Sequence, residues 1–187
     1  MVYLSKGVVQ NGSSRNNLVI SRCGKQFTLS GDSAVVWLRG RFQLGMTDTA
    51  AHHFISKRLI NDGLVEATNE LGDISLYRLF LKCVICHAKP KLFCAPLTKQ
   101  EKILWIWISQ AGGKLTISEL IWLFTQKVEP DKSLLGKNNW SSLIHTIYSV
   151  DTIADNILET QMESSPALAE TTAAVLGLLR KKRIFLI

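Results

Sequence analysis

Apolar and polar positions alternate in short runs over the first thirty residues. VYLSKGVV, NNLVISR and QFTLS each predict a strand, and CGK between the last two supplies a tight turn through Gly24. After Ser30 the period lengthens. In GDSAVVWLRGRF, Val35, Leu38 and Phe42 fall at i, i+3 and i+7 and predict one helix face. A serine before such a run is an N-cap signal, because its hydroxyl accepts from a free backbone N–H. GMT interrupts the pattern, and Asp48 is placed to cap a second helix, TAAHHFISKRLIND. Ala51, Phe54, Ile55 and Leu59 share a face of that helix, and Gly63 ends it. GLVEATNELGDISLYRLF then predicts a strand, a turn at Leu71-Gly72-Asp73 and a second strand, with Leu64, Ile74 and Leu76 covering the helices. A helix followed by such a hairpin is the order of a winged helix.

The second half carries helical periods. LTKQEKILWIWISQAGG and LTISELIWLFTQKV each open on a T-x-x-E capping box, Thr98/Glu101 and Thr116/Glu119, and AGGKL between them predicts a tight helix–turn–helix. NNWSSLIHTIYS and TIADNILETQM predict two more helices. SSPALAETTAAVLGLLRKKR predicts a last one, with Pro166 in its first turn and cations at its C-terminus. The tail IFLI suits a closing strand. The expected fold class is α+β. An N-terminal three-stranded sheet plus winged helix-turn-helix spans residues 1–86, a linker 87–96, and a mainly helical, helix-turn-helix-like domain 97–187.

Composition narrows the class. The chain has 187 residues, 47% hydrophobic and 20% charged, enough for packed cores in one large or two small domains. No apolar run approaches the roughly 18 residues of a membrane span, and the N-terminus lacks a signal-peptide pattern. Four cysteines without an export signal are expected to be reduced thiols in a cytoplasmic protein. Net charge is +7; residues 1–96 hold 12 Lys and Arg against 6 Asp and Glu, and residues 97–187 hold 10 against 9. That imbalance points to an anionic partner for the first half, or to solubility alone.

The chemical candidates are few. Cys83, Cys86 and His87 spell C-x-x-C-H, and Cys94 follows. Covalent haem would use the two thiols and the imidazole, and zinc would use all four residues. The plain alternative is a strand end with buried thiols running into a linker broken by Pro90 and Pro96. His52 and His53 are adjacent on a helix and do not face one another. His145 sits on an apolar-rich helix. No nucleophile elbow, zinc-protease motif, phosphate loop or dinucleotide fingerprint is present. The expectation is a non-enzyme with no catalytic residue, metal ligand or cofactor of its own. Lys57 and Arg58 lie on the helix that would enter the major groove of DNA, yet Asn, Gln, Ser and Thr are scarce around them for base readout.

A hairpin placed ahead of the helices leaves a strand edge beside a helix. A peptide adds to such an edge through main-chain hydrogen bonds. Lys25, Gln26, Phe27, Thr28 and Leu29 form the candidate docking strand, and Phe54, Lys57 and Arg58 the opposite wall. The competing arrangement is an edge closed by the chain's own N-terminal strand.

NLVISRCGKQFTLSGDSAVVWL followed by LINDGLVE resembles the leader-peptide recognition element found in maturation systems for ribosomally made peptide natural products, over roughly residues 1–82. The resemblance implies a three-stranded sheet with a winged-helix bundle that binds leader peptides by strand addition. The whole chain more loosely resembles the small partner proteins of multinuclear non-haem iron enzymes in thiaglutamate-type pathways. That likeness implies a non-catalytic adaptor: the partner enzyme supplies iron and chemistry, and the helical half docks it through apolar faces such as Trp105, Trp107 and Trp122. A winged-helix transcription regulator is the alternative.

Overall fold

The computed structural model describes residues 1–14, 17–88, 95–130, 147 and 155–187. Among these the chain is α+β, with seven helices and three small three-stranded sheets. It divides into two compact units, residues 1–71 with 185–187, and residues 72–184. The division falls ahead of the segment expected to be a linker. Residues 87 and 88 belong to the second unit, and residues 89–94 lie outside the described residues. Counted this way, residues 1–71 hold eight Lys and Arg against five Asp and Glu, and residues 72–184 hold fourteen against ten. The basic excess is therefore spread over both units.

In the first unit, β1 (Val2–Ser5) runs between β5 (Gly45–Met46) and β6 (Val65–Thr68), antiparallel to both. A separate antiparallel sheet has the order β2 (Val8–Val9), β3 (Leu18–Arg22), β4 (Lys25–Leu29). Cys23 and Gly24 join β3 to β4, with φ of 49° and 76°. Two consecutive left-handed residues make the mirror-image turn whose twist matches the strands it joins. Helices α1 (Gly31–Arg41) and α2 (Ala50–Asn61) complete the unit. Its core gathers Tyr3, Ile20, Leu29, Trp37, Leu59 and Leu64.

Several local expectations are corrected here. The buried face of α1 is Ala34, Val36, Trp37 and Gly40, whereas Val35 and Leu38 are exposed. Tyr3 decides this. Its ring lies so near Gly40 that a Cβ there would fall 2.7 Å from it, and its hydroxyl donates to Val36 O at 3.0 Å. The small residues thus face the core because a tyrosine already fills the space. Ser30 occupies the N-cap position without a side-chain capping bond. Thr49, not Asp48, caps α2, accepting from His52 N at 3.1 Å. On α2, Leu59 is buried and Ile55 partly so, while Ala51 and Phe54 face solvent. Gly63, at φ 70°, ends α2 as expected.

The largest correction concerns residues 73–81. They form helix α3 (Asp73–Leu81), not the second strand of a wing. Ile74 and Leu76 imitate strand alternation. Yet the segment is rich in leucine, a good helix former, and Tyr77 and Phe80 bury one turn apart. Tyr77 ties α3 into the second unit by donating to Glu159 O at 2.6 Å.

The second unit continues with β7 (Ile85–His87), α4 (Lys99–Gln110), β8 (Lys114–Leu115), α5 (Ile117–Thr125), α6 (Asp155–Glu163) and α7 (Leu168–Arg180). Both capping boxes form as the sequence predicts. A short strand, β8, occupies the turn between α4 and α5 and pairs antiparallel with β7. Pro166 lies ahead of the Ala167 N-cap of α7 rather than in its first turn, and the tail forms β9 (Ile184–Leu186). The expected helix NNWSSLIHTIYS, with His145, lies outside the described residues apart from Ile147. No helix of the described residues is long and apolar enough to cross a membrane.

Candidate functional site

The β3–β4 hairpin sets the geometry of one free edge. Gln10 N–H donates to Val19 O at 2.9 Å, and Val19 N–H donates to the Ser13 hydroxyl at 3.1 Å. Both main-chain groups of Val19 therefore point away from β4. Antiparallel pairs alternate between bonded and non-bonded. Val19 faces Thr28, so that pair is non-bonded, and Leu18↔Leu29, Ile20↔Phe27 and Arg22↔Lys25 are the bonded ones. The two-residue turn agrees, because it closes on the Arg22↔Lys25 pair. It follows that Gln26 and Thr28 turn their N–H and C=O groups to the outer edge of β4. Among the described residues no strand pairs there, and β1 lies in the other sheet.

The side chains of β4 divide as the pleat requires. Phe27 and Leu29 pack toward the core, and Gln26 and Thr28 are exposed. Beside this edge lies a cavity of about 400 Å³, lined by Gln26 to Ser30 and Ser33 on one side and by Arg58 and Leu59 of α2 and its C-cap Asp62 on the other. Four of the five expected strand residues, Gln26, Phe27, Thr28 and Leu29, meet Arg58 there. Lys25 starts the strand and is not part of the lining. Phe54 and Lys57 are exposed on α2, also outside the lining. Ser30, Ser33, Leu59 and Asp62 escaped the sequence reading. The spacing Ile55, Arg58, Leu59, Asp62, one helical face, was the signal for the last two.

The wall ends on a second cation. A Cβ at Gly63 would collide with the Arg22 guanidinium. That group therefore sits against the C-terminus of α2, where the helix dipole favours positive charge.

Elsewhere in the first unit, Asp48 pairs with the His52 ring and with Arg39 at 3.4 Å. The hydrogen bond from His52 is the main reason its carboxyl lies below the usual range. Among the described residues, His52 and His53 share no partner of that kind.

The C-x-x-C-H segment is a helix end followed by a strand. Cys83 Sγ contacts Leu79 O at 3.6 Å, and Cys86 Sγ contacts Val84 O at 3.9 Å. Burial pushes the Cys86 thiol up, against a smaller opposing effect of Lys114. Burial, then Arg183, pushes the His87 imidazole down. His87 packs on Trp105, ring centroids 5.1 Å apart. Both thiols are buried, and the upward shift moves Cys86 away from the thiolate form that attacks as a nucleophile. Among the described residues no three His, Cys, Asp or Glu side chains converge as a metal site, and Cys94 lies outside them. Trp107 and Trp122 are buried in the second unit, and Trp105 is half-buried.

No protein-family model, curated protein or solved structure matches the chain.

Proposed function

We propose that the first unit binds an extended acidic peptide, the leader of a precursor peptide, by adding it as a strand to β4. The chain then acts as a non-catalytic partner that presents this peptide to a larger modifying enzyme. The observation that carries the reading is the outward turn of Gln26 and Thr28 beside a groove walled by α2. Edge strands with unpaired main-chain groups are normally blunted or covered. This one is bordered by a cavity instead, with Arg58 in its lining and Arg22 at the end of α2. Affinity would come from the ladder, and preference for acidic sequences from Arg58. In this reading the iron and the bond-making steps reside in the partner enzyme, and this chain carries no cofactor.

The test is a titration of labelled candidate leaders, encoded near the gene, into the full chain. Binding by the parent and its loss in Thr28→Pro support strand addition. Equal affinity in the two proteins removes it. A DNA-binding regulator remains the second reading, because Lys57 and Arg58 are both exposed on α2. Arg58→Ala weakens binding in either case, whereas Thr28→Pro affects the peptide alone. Salt-dependent retention of duplex DNA, unchanged by Thr28→Pro, would favour that second reading.

A further inference from the structure

Helix α1 is apolar on two sides. Ala34, Val36, Trp37 and Gly40 are buried, yet Val35 and Leu38 on the opposite side are 44% and 38% exposed, and half-buried Phe42 continues their stripe. A helix apolar all round normally has neighbours all round. The main described neighbours of α1 are α2, β1 and β5, and they leave this stripe uncovered. The second unit shows what such a face accepts. Its α4 is the counterpart of α1: each helix ends three residues before a two-residue strand that pairs antiparallel with the first strand of its unit. Val35-Val36-Trp37-Leu38 corresponds there to Ile103-Leu104-Trp105-Ile106. Ile103 and Ile106 line a cavity together with Phe124 of α5, and Ile106 is only 4% exposed. The counterpart face is met by a helix.

The charges beside the stripe select the helix. Asp32 and Arg39 are exposed and lie about two turns apart on one flank of it. Asp32 is in no ion pair among the described residues, and Arg39 reaches Asp48 at 3.4 Å in an exposed pair of the kind that contributes little. When two copies of one helix pack antiparallel about a twofold axis, a flank meets the same flank of the other copy, running the opposite way. Asp32 then faces Arg39 of the other copy, and Arg39 faces its Asp32. The surface is complementary to itself. We infer that two copies of the chain associate through α1, with Val35 nearest the twofold axis, Leu38 between Gly31 and Val35 of the other copy, and two Asp32–Arg39 pairs on one flank. Ser33, which lines the β4 groove, lies on the other side of α1, so the inference stands or falls independently of the proposed function.

Sedimentation equilibrium on the full chain tests this. The parent is expected to be a monomer–dimer mixture with a dissociation constant of about 100 µM, weak because one helix pair falls short of a standard interface. Leu38→Glu, at an exposed position, should raise that constant at least about tenfold and leave the melting curve in place. Asp32→Arg and Arg39→Asp should each raise it by a similar factor, because each turns both attractions across the axis into repulsions. Mixed in equal amounts, those two variants should pair with each other as tightly as the parent pairs with itself, and the double variant Asp32→Arg/Arg39→Asp should recover parent behaviour. A parent that is still monomeric at about 1 mM overturns the inference and leaves the stripe to a different protein. Parent association indifferent to Leu38→Glu or to either charge reversal assigns the contact to another surface and overturns it too. So does failure of the two charge variants to pair when mixed.

Discussion

Val19 and Thr28 face one another across the β3–β4 hairpin without sharing a main-chain hydrogen bond, because Val19 is bonded to Gln10 and Ser13 on its other side. The consequence reaches the far edge of the sheet: the N–H of Thr28 is a donor for whatever adds there. Proline at 28 would remove that donor while sparing the β3–β4 ladder, as proline on an edge strand can. Thr28→Pro is expected to lower peptide affinity by at least about tenfold, with folding stability changed by less than about 1 kcal/mol. Thr28→Ala, which keeps the donor, should bind like the parent. Fluorescence anisotropy and thermal melts on the three proteins check both statements.

Arg58 is exposed and lines the groove. Arg58→Glu should weaken an acidic peptide about tenfold and make the residual binding less sensitive to salt, since exposed charge attraction is screened. Unchanged affinity from 50 mM to 500 mM salt in the parent protein would show that this charge plays no part.

Gly40 and Gly45 both lie against the Tyr3 ring, and a side chain at either would overlap it. Gly40→Ala is expected to destabilise the first unit by about 1–3 kcal/mol through overpacking. Tyr3→Phe, which removes the second donor to a helix carbonyl, Val36 O, should cost about 0.5–1.5 kcal/mol. Denaturant titration measures both.

Glu101 caps α4 through the Thr98 N–H and pairs with Lys181. Burial raises its carboxyl, but the bonds from Lys181 and Thr98 outweigh that and leave it below the usual value. A depressed folded-state pKa means the stabilisation is complete above the unfolded carboxyl range, near pH 4.3 or so. It is lost as pH falls through the folded-state pKa. Glu101→Gln should therefore melt lower than the parent at pH 7, by about 1–2 kcal/mol. The two curves should approach one another as the pH is taken toward 3. Gly177→Ala disturbs the same contact, because a methyl there would collide with the Glu101 carboxylate.

Cys83 and Cys86 are buried and Cys23 is exposed at the hairpin turn. With a thiol reagent and peptide mapping, Cys23 should be labelled rapidly and the other two only after unfolding. Rapid labelling of Cys86 in the folded protein would contradict its interior placement.

Short-range chemistry was legible along the chain. The CGK turn, β4 at Lys25–Leu29, the two capping boxes and the Gly63 helix end depend on neighbours a few residues apart, and each forms as the sequence predicts. The wing was misread for a different reason. ISL alternates like a strand and masks the local helix signal of the leucines, and the partners of Tyr77, Ser118 and the Glu159 carbonyl, lie far along the chain.

What the sequence determined by itself was the set of elements whose signals are local: turns, caps and the strand that carries Gln26 and Thr28. Tertiary structure decided which faces are buried, where the two units divide, and which strand edge has no partner strand among the described residues. Those outcomes depend on pairings such as Tyr3 with Gly40 and Val19 with Gln10, in which one partner occupies space or a hydrogen bond before the other can. Competition of that kind between distant residues leaves no trace in the period of a single segment.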